Sequence, residues 1–209
     1  MKEIYIMAIA SLTKFTVPLG GDTAAQGLLM PKLKYRFRLT FLNFGVSGST
    51  TELTKQVVDF ARPQVTFDEQ IIEIYNSRIK YAGKPTWGDT TVNLRDDASG
   101  QVSKLVGEQV QKQFDFMEQS SARSGIDYKF QMNCELLDGG NGANAPVVLE
   151  SWELYGCYVK DVNYGDLNYG ESAPVQIALS IAFDNAIQKP DGSGIGAAVA
   201  RTLGSVITG

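Results

Sequence analysis

Histidine is absent from all 209 residues. That one absence removes the commonest general base, the commonest metal ligand and the usual switch near neutral pH. Cysteine is nearly absent: Cys134 and Cys157 are the whole supply, and they fall in separate strand-like segments. No CxxC or Cys/His spacing exists, so a zinc site is not expected, and neither is any cofactor. The two thiols read as buried and free, since a disulfide would require their strands to face each other. Basic residues are outnumbered, 19 Lys and Arg against 23 Asp and Glu, for a net charge of −4. Such a chain has no basic footprint for gripping phosphates and should repel nucleic acid. Long apolar runs are missing as well. No stretch reaches the ~20 apolar residues of a membrane span, so no membrane partner is expected. The opening MKEIYIMAIASLTKF places a lysine before an apolar run, as a signal peptide does, but Glu3 interrupts it and the apolar segment is short. A structural arm and a cytosolic product are the expectation. Serine-hydrolase, zincin and P-loop patterns are absent, and a serine nucleophile would have no histidine to serve it.

What is present is alternation. Residues 34–44, KYRFRLTFLNF, set Tyr35, Phe37, Leu39 and Phe41 against Arg36, Arg38 and Thr40. Period two means a half-buried strand. Residues 127–137 alternate through Tyr128, Phe130, Met132, Cys134 and Leu136, and residues 174–184 through Val175, Ile177, Leu179, Ile181 and Phe183. Residues 147–162 read as a long strand interrupted by Gly156, where a bulge or a close backbone approach is expected. One or two further strands fall within 64–82, around QVTF and IIEIYNSRIKYA. One helix is expected at about 98–119, where Val102, Leu105, Val106, Val110, Phe114 and Met117 recur at helical spacing. The order of strands, one helix and strands predicts a mainly β (α+β) domain. It would be an antiparallel β-sandwich or barrel with one flanking amphipathic helix. The expected division is an N-terminal arm over 1–29, the β-barrel domain over 30–188 and a small-residue-rich tail over 189–209.

The stretch KYAGKPTWGDTTVNLRDD, residues 80–97, brings Asp89, Asp96 and Asp97 close to Trp87 and Arg95. A glycosidase needs two carboxylates roughly 5–10 Å apart in a cleft. Asp96 and Asp97 instead precede a helix start, where capping and the helix dipole favour acids. They read as helix caps, with Pro85 turning the chain between two strands. A carboxylate-dependent hydrolase remains the distant alternative. The tail holds a GxGxxA match at Gly192, Gly194 and Ala197, but it lacks the tight strand before it and the acid after it that a dinucleotide site requires. Several strands, such as ELYGCYV, are apolar on both faces, which implies packing against other copies of the chain.

The order of these segments resembles the tail tube proteins of contractile-tailed bacteriophages. The residues that carry the likeness are MPKLKYRFRLTF, then DFARPQVTFDEQIIEIYNSRIKYAGKPTWGDTTVNLRDD, an amphipathic helix, YKFQMNCELLD, and LESWELYGCYVKDVNYGDLNYGESAPVQIALSIAFDNA. The match covers roughly residues 30–187, and order and spacing carry it. The resemblance implies six copies in a ring, and rings stacked into a hollow tube inside a contractile sheath. It also implies double-stranded DNA passing through the lumen without specific binding, and no catalysis. Implied partners are the chain itself, the sheath protein, the tape measure protein, and baseplate and tail terminator proteins. The implied place is the virion tail, assembled in the host cytoplasm. The alternative is the tube of a phage-derived contractile injection system that delivers proteins. Residues 45–62 and 76–85 are expected to make ring contacts, with Gly45, Ser49, Arg62, Arg78, Lys84 and Trp87 as candidates. The tail after about 188 and the glycine-rich 138–146 stretch depart from the family pattern.

Overall fold

The computed structural model describes residues 31–46, 49–138, 146–189 and 194–195. The expected arm at 1–29, residues 139–145 of the glycine-rich stretch and most of the tail, including Gly192 and Ala197 of the GxGxxA match, lie outside them. The chain divides into two compact units, Met1–Arg36 and Phe37–Gly209. In the first, the Arg36 amide donates to the Leu33 carbonyl at 3.2 Å, and the Arg36 guanidinium lies 5.5 Å from the Tyr35 ring centre. Everything below concerns the second.

That unit runs β1 Phe37–Leu42, α1 Thr51–Gln56, β2 Val57–Phe60, β3 Val65–Ile74, β4 Ser77–Trp87, β5 Thr90–Arg95 and α2 Gln101–Gln113. It continues with a two-residue pair, β6 Phe114–Asp115 and β7 Ser120–Ser121, then α3 Gly125–Tyr128, β8 Phe130–Leu137, β9 Val148–Asn163, β10 Gln176–Ala182 and β11 Asn185–Lys189. The main sheet is antiparallel throughout, in the order β1-β8-β9-β10-β5-β2, with β11 added to β9. The domain is β-rich, as the alternation predicts.

Strand β9 is the hinge of this architecture. Its first part pairs with β8 on one side and β11 on the other, and its last part pairs with β10. A strand that leaves one ladder for another must bend, and the bend falls at Gly156, whose φ is +66°. A Cβ there would lie 2.1 Å from Asp184 Oδ2, so the backbone approaches as closely as the interior glycine predicts. One continuous core results. It takes Leu39 and Phe41 from β1, Met132 and Cys134 from β8, Trp152 and Leu154 from β9, Val92 and Leu94 from β5, and Ile177, Leu179 and Ile181 from β10. Helix α2 adds Val102, Leu105 and Val106 to the same cluster.

Four local expectations are corrected. Strand β1 begins at Phe37, and Tyr35 lies outside it, exposed. Helix α2 is shorter than 98–119 at both ends. Phe114 leaves helical geometry at φ −151°, and Phe114 and Met117 are exposed rather than in the core. The reason lies in Asp115, whose Oδ1 accepts from the Met117 and Glu118 amides at 2.9 and 3.2 Å and makes a local turn that competes with the helix. Pro85 does not turn the chain. It sits inside β4 opposite Phe67, in a two-stranded hairpin where each strand has a free edge and a missing amide is tolerated. The turn comes later, at Gly88, whose amide donates to the Gln64 carbonyl at 2.9 Å. Finally, β11 adds a strand within a segment read as following the last one. Ala186 is its one buried apolar residue, too little for an alternation signal.

Candidate assembly surfaces

The second sheet is the hairpin β3–β4, which among the described residues pairs only with itself. Cross-strand partners share a face. Ile72 opposite Ile79, Gln70 opposite Tyr81 and Ile74 opposite Ser77 therefore define one face, and Ile71 opposite Lys80 and Glu73 opposite Arg78 the other. The second face is neutralised internally: Arg78 pairs with Glu73, and Lys80 with Glu69, both at 2.9 Å. The first face leaves Ile72, Ile74, Ile79 and Tyr81 about half exposed. At the tip, Tyr75 has φ +47° and is fully exposed. Left-handed backbone costs a residue with a Cβ roughly 1 kcal/mol, which is why glycine or asparagine usually stands in such turns.

The hairpin is held at its base. The Trp87 ring lies 5.6 Å from that of Phe183, at the edge of the core. The buried Thr90 hydroxyl donates to the Ala61 carbonyl, and the Ala61 amide to the Thr91 carbonyl at 3.0 Å. Arg62 reaches Glu150 at 3.9 Å. Glu150 Oε1, on β9, also accepts from Trp152 Nε1 at 2.8 Å and Gln188 Nε2 at 3.0 Å. Linker, β9 and β11 thus meet on one buried carboxylate.

A second surface forms where α2 ends. Gln113 acts there as an edge cap. Its Oε1 accepts from the Val159 amide at 2.9 Å and its Nε2 donates to the Val159 carbonyl at 2.8 Å, as a neighbouring strand would. Beside it lies an open cleft of about 420 Å³, lined among others by Phe114, Ser121, Tyr128, Tyr158 and Lys160, and by no carboxylate. The Tyr128 and Tyr158 rings stand edge to face, 6.5 Å apart. Lys160 donates to Asp89, and that contact holds its ammonium above the usual lysine range. Past Val159, residues 161–163 of β9 pair, among the described residues, with β10 alone.

The candidate contact residues fall in three places. Arg78, Lys84 and Trp87 share the hairpin, Trp87 at its half-buried base. Arg62 stands beside that base. Gly45 and Ser49 lie elsewhere, in the β1–α1 connection. Gly45 is buried at φ +68°, and its amide donates to Gln109 Oε1 at 3.0 Å, while the Ser49 hydroxyl donates to Thr51 Oγ1 at 3.3 Å. The acidic trio is dispersed. Asp89 meets Lys160, and Asp96 continues the pairing of β5 through its amide to the Val175 carbonyl at 2.9 Å. Asp97 accepts from the Gln101 amide at 3.0 Å and from Ser99. The Ser99 hydroxyl, ahead of the backbone amides, holds the Asp97 carboxyl below its ordinary range. A general acid needs a shift in the opposite direction.

Sequence reasoning missed Tyr75, the cleft and Gln109. Tyr75 and Asn76 between the runs IIEI and SRIKY do carry a turn signal, asparagine in a two-residue loop. The cleft has no such signal, because its members come from α2, β6, the β7–α3 region and β9. Among the described residues no group of three or more His, Cys, Asp or Glu could hold a metal ion, and no helix is long and apolar enough to cross a membrane.

No family model matches the sequence, and no curated protein is significantly similar to it. Solved structures do match. A chain of the sheath/tube terminator of the extracellular contractile injection system PVC, in the extended state, superposes with a TM-score of 0.58 at 10% identity. The match covers 78% of this chain and 100% of that one. A chain of the anti-feeding prophage baseplate gives 0.55 at 12% identity, covering 78% and 97%. One from the tube-terminating cap of the same particle gives 0.55 at 14%, covering 80% and 97%. At these identities the likeness is one of fold. The chain has the β-rich, tail-tube-like fold found in the tube and terminator assemblies of contractile injection systems.

Proposed function

We propose that this protein is a non-enzymatic, tube-forming subunit of a contractile tail. Copies join side by side into sixfold rings, and rings stack into a hollow inner tube within a sheath. In a phage tail the tube conducts double-stranded DNA into the host. Partners would be the sheath, tape measure, baseplate and terminator proteins, and the place the virion tail. The supporting observation is the fold likeness to chains of contractile assemblies, which spans nearly the whole of each of those chains. The hairpin fits this reading: a two-stranded ribbon is marginal alone, and its apolar face needs a cover that the described residues do not supply. The acidic balance fits as well, since every phosphate contact in a conduit would slow its cargo.

A second reading is the tube of a protein-delivering injection system. The PVC matches favour it, being parts of an extracellular contractile injection system. Negative-stain microscopy and mass photometry of the purified protein over a wide concentration range test the common core of both. Sixfold rings and stacked tubes are the expected products. Strictly monomeric protein, even with a tail-tip template, would overturn the reading. Rings that never stack would point to an end piece of such a tube.

A further inference from the structure

The tip and the cleft are two unpartnered features on one chain. We propose that Tyr75 is a docking anchor that seats in the aromatic cleft of a second copy, between Phe114, Tyr128 and Tyr158. This rests on the reading of the chain as a self-assembling subunit, and it names the residues of one contact.

The argument begins with backbone geometry. A two-residue turn at φ +47° favours glycine or asparagine, yet the position carries an aromatic that touches nothing in its own chain's core. Tyrosine is among the side chains that dominate interface energetics, since it brings large rigid area and a hydroxyl at low entropic cost. The tip is built to present it. Behind Tyr75, the apolar face of Ile72, Ile74, Ile79 and Tyr81 extends the same surface, and the ion pairs of the opposite face leave that side suited to water. With aromatics offering ~150–250 Å² each, the five side chains present on the order of 500 Å². That is the larger part of the ~800 Å² one partner contributes to a standard interface.

The cleft supplies the complement. Its volume of about 420 Å³ exceeds what one phenol ring fills. Phe114, Tyr128 and Tyr158 are three of its eight lining residues, and Ser121 adds a hydroxyl for the phenol oxygen, while Gln113 and Lys160 are engaged by Val159 and Asp89. Charge does not oppose the fit, because Arg78, Lys80 and Lys160 each already face a carboxylate. A tip that enters a different surface of the next copy makes a heterologous contact, the kind that generates rings or open stacks.

Two variants test it. Tyr75→Gly suits the turn, so the monomer should melt at or above the wild-type temperature while the concentration needed for assembly rises about thirtyfold or more. Assembly of Tyr75→Gly at the wild-type concentration would overturn the proposal and leave the tip to another partner. The double variant Tyr75→Cys/Ser121→Cys should give an interchain disulfide ladder on non-reducing gels, while either single variant alone gives none. The native thiols, Cys134 and Cys157, are buried and would not compete. Assembled particles without cross-linking, or a disulfide within one chain, would overturn the seat. Failure of the wild type to assemble at all would instead sink the tube reading.

Discussion

Gly156 shows how one residue sets the path of the longest strand. A methyl group there meets the Asp184 carboxylate, and the left-handed backbone penalises any Cβ. Gly156→Ala should therefore lower stability by about 2 kcal/mol, read by urea or thermal unfolding of the monomer. Asp184→Ala should recover part of that loss in the double variant, because it removes the two nearest atoms the methyl meets, the carboxylate oxygen and carbon. Gln109 is the second such residue. It is fully buried at a position where helical spacing calls for an apolar side chain, and its amide donates to the Tyr128 carbonyl at 2.7 Å while accepting from Gly45. Gln109→Leu fills the space but strands one buried and one part-buried backbone group, and should cost about 2–4 kcal/mol in the same measurement. The two thiols are inert by contrast. Burial pushes each to about 12. The strands of Cys134 and Cys157 do pair, but Cys134 stands opposite Trp152 and Cys157 opposite Phe130.

Helix α2 opens without a formal side-chain N-cap. Gly100 holds that place at φ +67°, and Asp97 reaches the Gln101 amide from four residues before it. The Asp97 carboxyl titrates below its ordinary 3.8 in the folded protein. Its contribution is then complete above that value and lost as pH falls through the lower folded value. Asp97→Asn should flatten the acid limb of the stability curve below about pH 4 and leave its neutral-to-alkaline part parallel to wild type, as followed by circular dichroism. The hairpin behaves as a separable element. Of its residues only Trp87 packs against the core, from the base. Replacing residues 70–81 with a short Asn-Gly turn should leave the monomer melting temperature within a few degrees, while rings and tubes disappear from negative-stain grids.

At the scale of the whole molecule, the described part of this β-rich domain keeps one buried core and leaves strand edges open. Strands β1 and β2 end the sheet path, the last residues of β9 are open beyond the Gln113 clamp, and the hairpin projects its apolar face. A monomer with these exposures invites edge pairing. Much of this was legible beforehand, because burial imprints a period on a strand. Leu39 and Phe41, the Met132–Cys134 pair and the Ile177–Leu179–Ile181 run each announce a buried face through alternation alone, and Gly156 announces the bend. The helix was legible in its apolar stripe but not in its end, since Asp115 competes with the helix through hydrogen bonds that leave no periodic trace. Pro85 misled for a related reason: a proline breaks a central strand yet is tolerated at a free edge, and which strands are edges is a property of the sheet. The sequence by itself determined the β class and the core faces, because composition and period follow from local burial. Only the tertiary structure decided that Tyr75 stands alone at a tip, that Gln113 closes an edge, and that Phe114, Tyr128 and Tyr158 share a cleft. Those placements depend on long-range pairing, which brings together residues that no spacing along the chain connects.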